Sequence, residues 1–556
     1  MLVGIDIGGS NIDGVLVDGN KILKIVKNPV DKDNLLATIK TAIFQLTADQ
    51  DVEKIERINL STTLSTNAII ENKISEVLVI IQEGPGMVND FEEKIPYLEN
   101  FDGYVDHRGK TVVDFDVGKV VEIKNNEAYK DIDSLALVTK FSTRNPEVEN
   151  KLKDLLADDF SYISLGHKMS GRLNFPRRVY SSYLNSAVAK VFVSFAENIQ
   201  KALAQEKIFA PLYILKADGA TMTLEEGKDR PIESILSGPA ASFMGMTALS
   251  QSKDDEIYLD IGGTTTDIFF LTDGRPLYQP LGMEIKSMKT LVKGLYSKSI
   301  GLGGDSYVRL EGKQIKIGPE RKDRPLAFEG NYLTLTDAFN ALGLSDLGDV
   351  NKSISGLKIL GDQMDLAYKK LAEEILNKAA KIIFDEVKSD LEKINSKPLY
   401  TVKEVLENKK LQPKKIKLIG GPAKALAPFI ESAFGLETQV PKYFQVANAL
   451  GACLSKPTFE ANLQADTKRG YVNIPELGIY KKIPGTFDLK AGEELIKEEI
   501  LKKARDLKLE DPQVEILEAS SFNMVDYYSF GRNIRIKAQI QGGLLYNLWD
   551  QGDCND

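Results

Sequence analysis

Apolar positions along this chain change period in a regular order. LVGIDIG and GVLVDGN run apolar or alternate around Gly8-Gly9, KILKIVKN follows, and NLLATIKTAIFQL carries helical spacing. That order predicts paired strands followed by a helix. IERINLSTT reads as a strand ending in hydroxyls, and STNAIIENK as a helix opened by a Ser or Thr cap. EVLVIIQEG and DIDSLALVTK predict further strands, KLKDLLADD a helix, and FSYISLGH another strand. From Arg177 to about Glu206 the period turns helical, and this long helix is expected to bridge two halves. The second half is expected to restart at PLYILKADGATMT with a strand and turn, and ESILSGPAASFMGMTALS leads into a helix. YLDIGGTTTDIFFL pairs two strands round a turn, while KIKLIGGPAKALAPFIESAFG reads as strand, Gly-Gly turn and helix. After Gly451 a charged helix, EELIKEEILKKARDL, and the strands QVEILEAS and NIRIKAQI predict a small appended domain. The expected division is therefore 1–185, a first half with an inserted segment, 186–456, a second half, and 457–556, a C-terminal α+β domain.

One pattern occurs twice. Asp6-Ile7-Gly8-Gly9-Ser10 with Asp13 falls on Asp260-Ile261-Gly262-Gly263-Thr264 with Asp267, at a single offset for both aspartates. A lone D-x-G-G between strands is usually a tight turn. Two strand-flanked copies, followed by a strand–GG–helix at Gly420-Gly421, are not explained by turns alone.

Composition narrows the class. With 556 residues the chain exceeds one core, and 43% hydrophobic residues suffice to build several. Seventy-one Lys and Arg against 80 Asp and Glu give a net charge of −9, interspersed rather than blocked. That argues against nucleic acid as the main partner, while a local basic pocket stays compatible. The two cysteines, Cys453 and Cys554, lie too far apart for a C-x-x-C cluster and suit a reducing compartment. An apolar strand from Leu2 leaves no room for a leader, and no stretch reaches membrane-span length. The expectation is a cytoplasmic chain with no membrane partner.

Short glycine turns let backbone approach a ligand closely, and their N–H groups converge into an anion-binding concavity. Ser10, Asn11, Thr264, Thr265 and Thr266 add polar donors around Gly8, Gly9, Gly262 and Gly263. Asp6, Asp13, Asp260 and Asp267 cannot bind phosphate directly; they can hold Mg²⁺ through water or take a proton. Two such turns facing each other would grip a nucleotide's phosphates from both sides. Other nucleotide motifs fail: GLGGDS ends on Ser306 where G-x-G-x-x-G needs glycine, and Gly103 to Thr111 has five residues between its glycines where a P-loop has four.

The order of GIDIGGSNID, YLDIGGTTTD and LIGGPAKAL resembles the acetate kinase, sugar kinase, heat-shock chaperone and actin superfamily, with two phosphate motifs and a late adenosine motif. That resemblance implies two actin- or ribonuclease-H-like α/β halves with ATP in the cleft between them. Across nearly its whole length the chain resembles the hydantoinase A and 5-oxoprolinase family. LSTTLSTNAIIENK (Thr62, Thr63, Thr66, Asn67, Glu71), GHKMSGRLNFPRRVYSSYLNSAV and ADGATMTLEEGKDRPIESILSGPAAS (Gly219, Arg230, Pro231, Ser237 to Ala240) carry it. SIGLGGDS adds Gly303 and Gly304, with Asp305 replacing a glycine, and FNMVDYYSFGRNIRI has the family's look. The adenosine motif departs, because Gly420-Gly421-Pro422-Ala423-Lys424 is followed by no histidine. The chain is also shorter than typical members and lacks the fused second half of the long oxoprolinases.

The resemblance implies ATP-driven opening of a cyclic amide such as a hydantoin or 5-oxoproline, or a related carboxylation. The glycine turns, with Gly303, Gly304, Gly420, Gly421 and Lys424, would bind ATP. Mg²⁺ would sit near Asp6 and Asp260, and Asp6, Asp267 and His167 are the catalytic candidates. Water attack would fall to a separate B-type subunit, and a homo-oligomer is compatible with the sequence. An activator ATPase and a small-molecule kinase remain as other classes. His167 is equally an ordinary hydrogen-bonded strand-end residue, and of Arg172, Arg177 and Arg178 at least two are as well explained by a solvated helix start as by a substrate clamp. His107 reads as loop and Cys453 as a small buried residue.

Overall fold

The computed structural model describes residues 1–549 except 10, 32–33, 87–89, 280, 321, 397–409, 508, 510–511 and 527–528. Leu2–Ile7 is buried at every position, the signature of a strand covered on both faces. It pairs antiparallel with Asn11–Asp18, which pairs with Lys21–Pro29, and parallel with Arg57–Thr62. Leu212–Leu215 adds to Arg57–Thr62 in parallel, completing a six-stranded sheet with Thr221–Thr223 at its edge.

The second half repeats this order. Glu256–Ile261 pairs antiparallel with Thr266–Thr272 and parallel with Lys415–Ile419, and Glu437–Gln439 follows in parallel. Ser297–Ile300 lies beyond Thr266–Thr272, as Lys21–Pro29 lies beyond Asn11–Asp18. In both sheets the third, second, first, fourth and fifth strands therefore stand side by side, as the repeated motif predicts.

Between Arg57–Thr62 and Leu212–Leu215 the chain builds a separate parallel sheet from Tyr162–Leu165, Ser134–Thr139, Val77–Gln82 and Tyr97–Asn100. The long helix Phe175–Gln205 returns from it. Its Val179, Tyr180, Tyr183 and Leu184 pack in the core against that inserted sheet, and its Phe192, Ala196, Ile199 and Leu203 in the core of the first sheet. The helix thus ties the insertion to the first half, where a bridge between halves was expected. PLYIL likewise belongs to the first sheet, and the expected division after residue 185 falls inside the helix. Periodicity reports that a segment is helical, not what its two ends pack on.

The two halves meet where the helices Ser237–Leu249 and Ala447–Leu454 cross. A Cβ on Gly245 would strike the carbonyl of Ala447, and one on Gly451 the carbonyl of Ala241. A Cβ on Gly4 would strike Cys453 and the carbonyl of Ala449, so the first strand presses on the same crossing. Backbone meets backbone there, and only glycine allows it. Residues from Glu460 onward form a five-stranded antiparallel sheet backed by the helix Leu489–Asp506, the expected small α+β unit.

Candidate functional site

The two glycine turns are built alike. Asp6 stands opposite Asp13 and Asp260 opposite Asp267 in the strand registers. Gly8 N donates to Asn11 O at 3.0 Å, and Gly262 N to Thr265 O at 2.9 Å. A Cβ on Gly9 would meet no protein atom within 4 Å, so that turn borders open space. Ser10 lies outside the described residues.

Two more motif segments close on the second turn. Gly304 N donates to Gly262 O at 3.0 Å and Asp305 N to Gly263 O at 2.6 Å, which lays the loop 301–306 over the turn. A Cβ on Gly303 would come within 2.6 Å of Gly262 O, so glycine is required for that approach. Gly420 has φ +91°, and a Cβ there would strike Ile261 O and the Asp260 carboxylate. Gly262, Gly263, Gly303, Gly304 and Gly420 thus converge, with Gly421 beside them. Thr264 and Thr265 are exposed, but the Thr266 hydroxyl is committed to Leu302 O at 2.7 Å and is no ligand donor. Lys424 is exposed in the first turn of the helix Ala423–Phe434.

Four carboxyls share one field. Burial pushes the Asp6 carboxyl up to about 7, with Asp13 and Asp260 adding to the rise and Ser61 and Asn448 opposing it. Burial pushes Asp267 up to about 7, reinforced by Asp260 and opposed by Ser299. Asp260 is raised by burial despite Ser242 Oγ donating to its Oδ2 at 2.5 Å and Asn448 Nδ2 at 3.3 Å. Burial raises Asp13 too, but Lys27 Nζ, 3.1 Å from its Oδ1, opposes the rise. Carboxyls that depress one another's ionisation form a site that attracts a cation. Among the described residues no three or more acidic, His or Cys side chains are arranged to hold a metal by themselves. Mg²⁺ keeps waters and takes one or two carboxylates together with ligand phosphates. Asp6 and Asp260 are the residues that would hold it.

Asn448 touches both Asp260 and Asp6, and so joins the two halves of the site. Neither it nor Ser242 stood out in the sequence beyond Ser242's place in SGPAAS. Ser237 Oγ donates to Thr62 O at 2.8 Å and accepts from Thr62 N at 3.2 Å, while Leu236 N donates to Thr66 Oγ1 at 2.9 Å. These contacts seat the helix of Ser242 on the ends of the first sheet's strands. Of the LSTTLST threonines, Thr66 contributes its side chain to this seat and Thr62 its backbone.

His167 is not at this site. It lies buried beyond the inserted sheet, its Nδ1 2.6 Å from Glu149 Oε2, and its backbone N donates to the same oxygen at 2.9 Å. Burial acts to raise Glu149, but hydrogen bonds from His167 and from Thr139 N hold it below its usual range. Arg178, pushed down to about 10 by burial with Glu149 opposing, donates to Thr139 O and Lys140 O, and Arg177 donates to Thr290 O. His167, Glu149 and Arg178 knit the insertion together, Arg177 ties the helix Phe175–Gln205 to Gly282 and Thr290, and none of their hydrogen bonds reaches either of the paired glycine turns. His107 is exposed, and Cys453 is buried at the helix crossing, where burial pushes its thiol up. Cys554 lies outside the described residues. No helix among the described residues is long and apolar enough to cross a membrane.

Two sheets of one topology, facing each other across paired acidic glycine turns, define the actin-like class of two-half α/β fold. Within it, a model described as hydantoinase/oxoprolinase matches residues 178–461, and one for the hydantoinase/oxoprolinase N-terminal region matches 2–160. The chain belongs to the hydantoinase/oxoprolinase family. It is 25% identical over 420 residues to an uncharacterized protein of Methanocaldococcus jannaschii, covering 67% of this chain and 60% of that one. It is 26% identical over 227 residues to the 5-oxoprolinase of Saccharomyces cerevisiae, 38% of this chain and 17% of that one. The chain thus spans less than two thirds of these relatives. Its fold is that of acetone carboxylase, at TM-score 0.69 and 15% identity over 98% of this chain and 88% of that one. ATP-dependent caprolactamase from Pseudomonas jessenii is equally similar, at TM-score 0.69 and 17% identity over 97% and 87%.

Proposed function

We propose that this chain is the ATP-using component of an enzyme that opens a cyclic amide. The observation that carries the reading is the pair of like-built glycine turns, each flanked by two opposed aspartates, with a third glycine turn closing on one of them. The family, the 5-oxoprolinase relative and the likeness in fold to an ATP-dependent caprolactamase support it.

An unstrained lactam is a poor electrophile and its ring reforms readily. Attack of the amide oxygen on the γ-phosphorus of ATP breaks the bond to ADP and forms an O-phosphoryl imidate, with loss of the N–H proton. Water then adds at carbon, the C–N bond breaks so that the ring nitrogen leaves as an amine and takes a proton, and a second water hydrolyses the resulting acyl phosphate to carboxylate and phosphate. The first step needs mainly positioning and charge neutralisation. The N–H groups of the two turns supply donors to phosphate oxygens. Bound Mg²⁺ supplies neutralising charge. Asp6 and Asp267, both at about 7, are poised to exchange a proton near neutral pH. Water attack is assigned to a B-type subunit as part of this proposal.

The test is ATP turnover by the purified chain with a panel of cyclic amides, with and without a B-type subunit, read by product analysis. A ring-opened product only with both chains supports the reading. Full ring-opening by the single chain removes the partner from it. A stable phosphorylated product makes the chain a kinase, and carboxylated product a carboxylase.

A further inference from the structure

A second cavity, partly open to solvent, lies where the first half, the loop 283–293 and the C-terminal unit meet, with a volume of about 80 Å³. Domain junctions are where small-molecule pockets concentrate. Its position relative to the phosphate turns follows from the sheet register. Asp6 is level with Ser61, and Leu60 with Ile214, so Lys216 ends its strand one residue beyond the level of Asp6 and two strands away. At normal strand spacing that is on the order of 10 Å. Both sites therefore sit at the carboxyl ends of the same parallel strands, where open α/β sheets bind ligands. The segment 230–237 runs between them, with Ser237 toward Thr62 on one side and Arg230, Ile232 and Glu233 lining the cavity on the other, so a nucleotide held by the turns must extend its γ-phosphate past this segment to meet a ring in the cavity.

The cavity wall combines an apolar surface with loosely held polar groups. Ile232, Leu291, Val292 and Phe459 supply the first. Lys216, only 9% exposed, donates to Thr458 Oγ1 at 3.1 Å and stands 3.7 Å from Asp218. Lys293 stands 3.7 Å from Glu460, and Arg230 pairs with Glu233 at 3.0 Å while lying over the Phe459 ring. Two of the three ion pairs are thus longer than a hydrogen bond, and an ammonium has three donors to place. Each of these three cations faces an acid, although Glu460 is held more closely by Lys537 at 3.1 Å than by Lys293. Glu476, a fourth acid, is held by Gly171 N and by the Asn462 backbone and side-chain N–H groups. Hence the wall offers donors and acceptors together and no surplus positive charge.

We propose that this cavity is the cyclic-amide site and that it takes an uncharged ring in preference to one bearing a carboxylate. The inference rests on the reading of the preceding subsection. A lactam or hydantoin presents a C=O to the ammonium groups, an N–H to the carboxylates and methylenes to Ile232, Leu291, Val292 and Phe459. A ring carboxylate would add a buried anion to a wall whose cations are all engaged, which costs free energy unless a new partner is supplied.

The test is calorimetric titration of the full chain with ε-caprolactam, hydantoin and 5-oxoproline, with ADP·Mg²⁺ titrated in parallel. Wild type should bind a neutral ring at least tenfold more tightly than 5-oxoproline. Leu291→Trp, which fills the cavity, should weaken the neutral ring at least tenfold and leave ADP affinity within twofold. Should that variant fail to fold, Lys293→Gln at the mouth should weaken the ring by severalfold with the same unchanged ADP binding. Unchanged ring affinity in the folded variants overturns the cavity assignment and leaves the proposed function standing. Equal or tighter binding of 5-oxoproline overturns the charge argument. Nucleotide binding with no ring bound by wild type overturns this inference and the cyclic-amide reading together.

Discussion

Asp267→Asn separates the stability cost of the site from its chemistry. The substitution keeps shape and hydrogen bonding and removes a charge that the folded protein resists. A carboxyl raised from 3.8 to about 7 carries a folding penalty of about 4 kcal/mol above pH 7 at 1.36 kcal/mol per pK unit. The side chain is half-buried, so solvent screening reduces this to about 2 kcal/mol. The sign follows from proton counting. Below pH 3.8 both states are protonated and the penalty is absent. Between 3.8 and about 7 the folded state holds the extra proton, so wild-type stability falls as pH rises, and above 7 the loss is complete. The uncharged amide of the variant feels none of this. The variant should therefore melt higher than wild type at pH 8, by on the order of 5 °C for a unit of this size, with the gain vanishing near pH 4. Substrate-stimulated ATP turnover should fall roughly a hundredfold or more, with nucleotide affinity changed much less. Differential scanning calorimetry across pH and steady-state ATPase measurements read the two effects. Retained turnover would show that the aspartate plays no part in the chemistry, and a pH-independent melting difference would refute the burial argument.

Asp13→Asn should be milder in turnover, because Lys27 already neutralises Asp13, whereas the influences on Asp267 include no cation; equal losses in a side-by-side ATPase assay would contradict this. Gly9→Val should abolish nucleotide binding by calorimetry while leaving the melting temperature within a few degrees, since its side chain enters space that no protein atom occupies. Gly245→Ala should destabilise by about 1–3 kcal/mol in denaturant unfolding, because its methyl meets the Ala447 carbonyl. His167→Ala should lower stability by about 2–3 kcal/mol by stranding buried Glu149, with kcat of the folded fraction unchanged; a selective loss of kcat would return His167 to the chemistry.

The halves were legible because their defining feature is local: a glycine turn between opposed aspartates reads the same in sequence and in space. Gly303 and Gly420 were legible for a related reason, since only glycine fits where backbone approaches backbone. What was not legible depends on distant partners. His167 ends a strand whether it faces a cleft or Glu149, and only Glu149's place among Val148, Leu152 and Leu156 on the buried face of its helix hinted at a core partner. Asn448 reaches Asp260 across 188 residues of chain and carries no spacing signal. Thr266 looked like its two neighbours, yet strand alternation turns it inward to Leu302 while Thr264 and Thr265 stay outside. The long helix misled for the same reason, its period being silent about which sheet lies beneath each end.

The glycine contacts at the crossing of Ser237–Leu249 and Ala447–Leu454 bear on how the molecule can move. Elsewhere in the core, displacement means lifting interlocked side chains out of one set of rotamers and into another. At Gly245 and Gly451 the atoms in the way are backbone, and at Gly4 they are the Ala449 carbonyl and the Cys453 Cβ. Sliding the two helices past each other would drive a carbonyl into a Cα, whereas turning about the contact leaves the distances nearly unchanged. The joint resists translation more than rotation, so closure around a ligand is expected as a hinge motion more than a shear. Asn448 rides on one of the two helices and Ser242 on the other, one turn or less from the pivot glycines. The aspartates they hold sit close to the axis, where an angular change moves them least. The mouths of the cleft, far from it, travel most: the molecule can open wide to exchange ligands while its charged centre stays in register.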